Sequence, residues 1–345
     1  MKRVDIFAPN VRHGGGKILL LQLVNSLIEE ELIGTIYASA DLQKELSHSS
    51  DIIYNSNSIF SKLKSEINLI KNPIKGSTVL FFGNLPPIKK LNAKSILYLH
   101  NILLIKKKVD YKFALKTKIR LILERIYLWL FIKNVDEVYV QTPVMFEELK
   151  RFKKGLNIKI KPFMNLNSIH NRNKHAKEKY DFIYPSYGYP YKNHKLIIKS
   201  WVELAQCNHY PSLCLMLDKD LDNLLYLYIE KFKKKFNLNI EVVFNIPNEQ
   251  ITDYYNTSSA LIWPSLEESF GMPIIEAVNF GLRILATDQK YITDMIEGAY
   301  IFDTNNSTSM KNLVIKLLND KELNKSIYPK LKLHIPNSND FIKSM

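Results

Sequence analysis

Cysteine is almost absent from this chain of 345 residues, with only Cys207 and Cys214 present. Two thiols build neither a disulfide framework nor a cysteine-rich zinc site, and such usage suits a reducing compartment. Long apolar runs are missing too: the longest near the middle, Ile126 to Ile132, falls far short of the ~20 residues that span a bilayer. Asp5 interrupts the stretch that a signal peptide keeps apolar, so Val4 to Ala8 reads as a mature strand and a cytoplasmic location is expected. No repeat of fixed short period is found, which removes solenoids. No cluster of His, Asp and Glu has metal-ligand spacing, so neither a metal nor another cofactor is expected. Acidic residues are outnumbered, 34 against 48 basic ones, leaving a net charge of +14. That surplus attracts nucleic acid, anionic lipid or phosphorylated small molecules alike. No nucleic-acid reader motif accompanies it, so nucleic acid is not an expected partner.

What is present is enough apolar side chain, 46% of residues, to build two cores, and the length fits two domains of roughly 150 residues each. Val4 to Ala8 reads as a strand, Pro9 to Gly16 as a turn-rich loop and Lys17 to Ile28 as a helix with a broad apolar stripe. Strand-like runs follow at Gly34 to Ser39, Thr78 to Phe82, Ser95 to Leu99 and Glu137 to Val140, and a helix over Pro143 to Phe152. The polar stretch 165–179 reads as a linker between a first domain, 1–164, and a second, 180–330. In the second, strands at Asp181 to Pro185, Ser212 to Leu217, Ile240 to Phe244, Ala260 to Trp263, Arg283 to Ala286 and Ala299 to Phe302 alternate with helices. The pattern predicts an α/β protein of two doubly wound domains facing each other across a cleft. Residues 331–345 form a tail that could return to the first domain.

One segment carries most of the chemistry: Trp263-Pro-Ser-Leu-Glu-Glu-Ser-Phe-Gly-Met-Pro-Ile-Ile-Glu-Ala-Val-Asn-Phe-Gly281, a buried strand that passes through a loop into a helix opening at Pro273. The N–H groups of Phe270, Gly271 and Met272 would lack intrahelical acceptors and sit at the positive end of the helix, ready for phosphate or hydroxyl oxygens. Glu268 falls in the loop and Glu276 in the first turn of the helix, so they could grip separate parts of one ligand. Taken singly, each is equally a solvated loop acid or a complement to the helix terminus.

Together with Gly281-Leu-Arg-Ile-Leu-Ala-Thr-Asp288 after it, the segment resembles the Glu-x7-Glu signature of the retaining, GT-B-fold glycosyltransferases of family 4. Phe244 to Ala260 is similar to the family's upstream segment, where a loop at Ile246 would touch the nucleobase. Asp181 to His194 resembles the opening strand of the family's second domain, with Lys192-Asn193 in place of its Lys-Asn pair. The resemblance implies GT-B architecture and transfer of a sugar from a nucleotide-diphosphate donor to a surface-glycan acceptor, with no metal. It puts Glu276 on the ribose, Glu268 and the Phe270 to Pro273 turn on the sugar, and Lys192 on the diphosphate. Ser186 and Tyr187 occupy the place of the family's Gly-Arg, and a tyrosine brings one hydrogen bond without charge. Gly14, Gly15 and Gly16 resemble the family's glycine loop beside the phosphate and the acceptor. His100 resembles a histidine that touches the donor sugar, although a lone histidine after a strand is also commonly structural.

Between Ile105 and Lys133 nine basic residues face two acids, a local net of +7, with Ile119, Ile122, Ile126, Trp129 and other apolar residues interleaved. This reads either as a core helix with a solvated lysine face or as a helix that settles on anionic lipid headgroups. The latter would place the protein on the inner face of the plasma membrane, with a lipid-linked acceptor. A nucleotide-sugar epimerase, built on similar domains, is the alternative enzyme.

Overall fold

Val4–Ala8 is buried along its whole length, as a strand covered on both sides in a parallel sheet is, with the Asp5 carboxylate accepting from Thr35 N at 2.8 Å and Ser77 Oγ at 3.0 Å. The computed structural model describes residues 3–46, 51–56, 58–71, 77–109, 111–166, 177–322 and 327–345. The chain divides into two units. One comprises Met1–Asp110, Ala114–Asn165 and Ile335–Met345, and the other Tyr111–Phe113 and Leu166–His334.

In unit 1 the strands are β1 (Val4–Ala8), β2 (Ile33–Ser39), β3 (Ile52–Asn55), β4 (Thr78–Phe81), β5 (Lys94–Leu99), β6 (Glu137–Val140) and β7 (Ile158–Ile160). They form one parallel sheet in the order β3-β2-β1-β4-β5-β6-β7. The helices are α1 (Gly14–Glu29), α2 (Ile59–Lys71), α3 (Leu115–Phe131) and α4 (Pro143–Phe152). At α4 the Thr142 side chain accepts from Met145 N and Pro143 fills a position whose missing N–H costs nothing. The edge strands β3 and β7 were not foreseen. At four and three residues they are too short to show a period.

Unit 2 repeats the alternation: β8 (Tyr180–Pro185), α5 (His194–Gln206), β9 (Leu213–Leu217), α6 (Asn223–Phe236), β10 (Ile240–Phe244), α7 (Asn248–Asn256), β11 (Ser258–Trp263), α8 (Met272–Asn279) and β12 (Arg283–Thr287). Then come α9 (Lys290–Met295), β13 (Ile296–Glu297), β14 (Tyr300–Phe302), α10 (Ser307–Glu322) and β15 (Lys330–Leu331). Its parallel sheet runs β10-β9-β8-β11-β12-β14, while β13 and β15 pair antiparallel. Of the expected linker, 167–176 lies outside the described residues.

The last helix, α11 (Ser338–Lys343), belongs to unit 1, where the Phe341 ring lies 4.4 Å from that of Phe163 and edge-on to Tyr98 at 5.6 Å. Ser338 N and Oγ both donate to Asn165 Oδ1 at 2.7 Å. In each sheet the strand order reverses once, between β1 and β4 and between β8 and β11. At such a switch point the connections leave in opposite directions and open a crevice beyond the strands' carboxyl ends. Two crevices are therefore given by topology, one per unit.

Candidate functional site

The unit 2 crevice is built from the loops after β8 and β11. β11 is wholly buried and delivers the chain into residues 264–271, which end at Gly271 with φ of +70°. That conformation is strained for residues with a Cβ, and a Cβ here would also lie 3.1 Å from Ile274 Cδ1. α8 starts at once at Met272, with Pro273 second. The N–H groups of Phe270, Gly271 and Met272 have no intramolecular acceptor among the described residues. Glu276 is not in the first turn, as the sequence had suggested. The helix opens at Met272 rather than Pro273, which makes Glu276 its fifth residue, in the second turn.

Glu276 is held from α7, where Tyr255 Oη donates to its Oε2 at 2.7 Å. Burial pushes the Glu276 carboxyl above its usual pKa, and the Tyr255 bond partly offsets this. The Tyr255 ring stacks on Phe280 at 5.3 Å, which fixes the hydroxyl.

Lys192 and Glu268, assigned separate tasks from sequence, meet directly. Lys192 Nζ lies 2.6 Å from Glu268 Oε1, with the two side chains 13% and 10% exposed. The pair rests against Trp263, whose ring centroid is 5.0 Å from the ammonium. A main-chain bond joins the two loops, Leu266 N donating to Tyr191 O at 2.8 Å, and Tyr184 Oη, in β8, donates to Lys192 O at 2.7 Å. Asn193, in the left-handed region at φ of 57°, turns the chain into α5.

Ser186 is buried and its carbonyl contacts His194 Nε2 at 3.0 Å. Tyr187, at the position that resembles the family's arginine, is exposed. Its hydroxyl pKa is raised by burial and by the carboxylates of Asp218 and Asp222. Asp222 also accepts from Gly188 N at 2.9 Å, so an acid lies beside this loop. Ile246 is partly exposed between β10 and α7.

In unit 1, Gly14, Gly15 and Gly16 form the first turn of α1 rather than a loop preceding it. A Cβ on Gly16 would stand 2.9 Å from His100 Nε2, so glycine permits this approach of helix and imidazole. Asn84, beyond β4, accepts from His100 N at 2.7 Å, and its Nδ2 lies 3.1 Å from Nε2. The amide nitrogen can only donate, so Nε2 accepts and is already engaged. Burial lowers the His100 pKa to about 4, leaving a neutral ring at pH 7. Asn84 and Tyr255 were missed by sequence reasoning. The positive φ of Asn84, 69°, is a backbone property, and Tyr255 stands 21 residues before its partner. Among the described residues no group of three His, Cys, Asp or Glu side chains is placed to hold a metal ion.

This strand, loop and helix, with its bare amides and inward glutamate, also carries the sequence likeness. Residues 167–333 match the family described as glycosyl transferases group 1. An uncharacterized glycosyltransferase of Methanocaldococcus jannaschii is 28% identical over 110 residues, 31% of each chain. Another, of Haemophilus influenzae, is 27% identical over 167 residues, covering 46% of this chain and 45% of that protein. The chain thus spans less than half the length of these relatives. Among solved structures, sucrose-phosphate synthase from Thermosynechococcus elongatus superposes with a TM-score of 0.68 at 16% identity, covering 94% of this chain and 92% of that one. Anabaena HepE, solved with UDP-glucose, gives 0.65 at 12% identity, covering 93% and 91%. The architecture is therefore that of the GT-B glycosyltransferases, with parallel sheets of seven and six strands.

Proposed function

We propose that the protein is a retaining glycosyltransferase that moves a sugar from a nucleoside-diphosphate sugar to a hydroxyl of a growing surface glycan. The observation that carries the reading is the α8 turn. Three buried amides without acceptors and a half-buried carboxylate in the second turn of one helix suit a sugar diphosphate attached to a ribose. The likeness to the glycosyl transferases group 1 over the same residues supports it.

In this reading Glu276 accepts from the ribose hydroxyls, with Tyr255 holding its second oxygen. The Phe270 to Met272 amides and Glu268 take the sugar hydroxyls. Donor entry separates Lys192 from Glu268 and turns the ammonium to the diphosphate, where negative charge grows as the glycosidic bond breaks. Ser186, Tyr187 and Ile246 line the nucleotide side. The neutral His100, held by Asn84 beside the Gly14 to Gly16 turn, stands near the donor sugar without adding charge. No enzymic pair of acid and base carboxylates is required, unlike in hydrolases.

Thermal-shift screening against nucleoside diphosphates tests the assignment, because a ligand that binds only the folded state stabilises by mass action. At least one diphosphate should raise the melting temperature. Glu276→Ala should weaken that shift, and Lys192→Ala should slow transfer by roughly 10²-fold, as loss of one preorganised donor does. Failure of every nucleoside diphosphate to stabilise the protein would refute the reading.

A further inference from the structure

α3 carries a second apolar stripe where a core helix is polar. Leu121 and Leu128, one heptad apart, are its buried residues and mark the face packed on unit 1. Ile119, Ile122, Leu123, Ile126, Trp129 and Leu130 recur at helical spacing on the other side, in solvent. Ile122 is 57% exposed, Ile126 52% and Trp129 49%, so these are open surfaces rather than rims of a core. The stripe runs about 16 Å along the helix at 1.5 Å per residue. At 3.6 residues per turn, Lys116 and Arg120 border one edge and Lys118 and Arg125 the other. The helix has one acid, Glu124, and it pairs with Arg120 at 3.8 Å.

A cation pocket continues the stripe. Phe146, Lys150, Lys153, Lys154 and Leu156, at the end of α4 and the turn into β7, line a concavity with no acid in its walls. Lys153 Nζ lies 3.5 Å from the centroid of the Trp129 ring, which joins pocket and stripe into one surface.

We propose that this face of unit 1 docks on an anionic phospholipid bilayer. α3 lies in the membrane plane with its stripe at the boundary between headgroups and acyl chains, and the three lysines hold a lipid phosphate. Basic residues on both edges of an apolar stripe fit a bilayer, because their stems stay with the apolar surface while the charges reach the headgroups. The +7 net charge of residues 105–133, half of the chain's surplus, complements an anionic surface. Lipid docking requires nothing of the donor site in unit 2.

Trp129 makes the test direct, since Trp201 and Trp263 are fully buried and a lipid surface reaches Trp129 alone. The full chain is mixed with vesicles of equal parts phosphatidylglycerol and phosphatidylcholine, or of phosphatidylcholine alone. The wild type should sediment with the anionic vesicles, less so as salt rises, with a blue shift of tryptophan emission and quenching by brominated acyl chains. Combining Ile122→Asp with Ile126→Asp should abolish sedimentation and shift while the melting temperature stays that of the wild type. Lys150→Gln, Lys153→Gln and Lys154→Gln together should weaken binding roughly 10²-fold, at about fivefold per lysine brought to an anionic surface. Absence of anionic-vesicle binding, or binding by the wild type without quenching, overturns the proposal. So does a dimer that the aspartate pair dissolves in a protein that ignores vesicles, which would assign the stripe to a second copy of the chain.

Discussion

Replacing Lys192 by methionine separates what the Lys192–Glu268 pair does for the fold from what it does for a ligand. The stem is kept and the ammonium removed, so Glu268, 10% exposed, loses a partner 2.6 Å away. Stranding one charge of a buried pair costs about 3–5 kcal/mol. For a unit of this size each kcal/mol moves the melting temperature by roughly 2–4 °C, so Lys192→Met should lower it by roughly 6–20 °C. Adding Glu268→Gln removes the stranded charge and should recover most of that loss, with a coupling of about 2–3 kcal/mol in the double-mutant cycle. Calorimetry of the four proteins reads this directly. Isothermal titration supplies the second arm: Glu268→Gln alone frees the ammonium and should tighten nucleoside-diphosphate binding by about tenfold, because so short a pair competes with phosphate for one cation. Transfer by the same variant should fall, since the sugar loses an acceptor. If Lys192→Met melts within a degree of the wild type, or the double variant is no more stable than the single, the pair does not act as described.

Tyr255→Phe keeps the ring on Phe280 and deletes the bond to Glu276, so nucleoside-diphosphate affinity should fall about tenfold, the worth of one hydrogen bond to a charged group. Because that bond opposes burial at Glu276, its removal should also move the acid limb of ligand binding to higher pH, which titration across pH detects. Burial holds His100 down to about 4 and His194 to about 3, both below the 6.5 of an unfolded histidine. The folded state therefore binds fewer protons. The stability these rings contribute should be complete above pH 6.5 and be lost as pH falls through 4 and then 3, in chemical denaturation at stepped pH. Glu276 acts in the opposite sense, since its raised pKa favours the fold at low pH and that contribution fades as pH rises through the folded value.

Alternating short apolar runs and helical stripes made the central strands legible, because a strand buried on both faces leaves a continuous apolar run such as Leu213 to Leu217 or Ala260 to Trp263. Edge strands left no such trace: Ile158–Ile160 is partly exposed and has a lysine in the middle. The start of α1 was misplaced for a related reason. Three glycines in succession read as a loop by propensity, yet α1 begins at Gly14, whose own φ is +68°, and the close approach of His100 accounts for glycine at Gly16. Tertiary contact decided there, and no local rule carries that information.

The same distinction governs the site. Glu268, Glu276 and the amides before α8 were legible because one continuous segment holds them, and a turn into a helix makes its N–H groups available whatever the rest of the protein does. Partnerships were not legible, since each joins groups separated by intervening strands or helices: Lys192 with Glu268 across 76 residues and Tyr255 with Glu276 across 21. The first arises at the switch point, where the loops after β8 and β11 leave in opposite directions from neighbouring strands, and the second joins α7, the helix before β11, to α8. Topology thus fixes where the groups gather, and the pairings follow from burial. A carboxylate at Glu268 nine-tenths removed from water requires a cation, and Lys192, in the connection that follows the adjacent strand β8, supplies it.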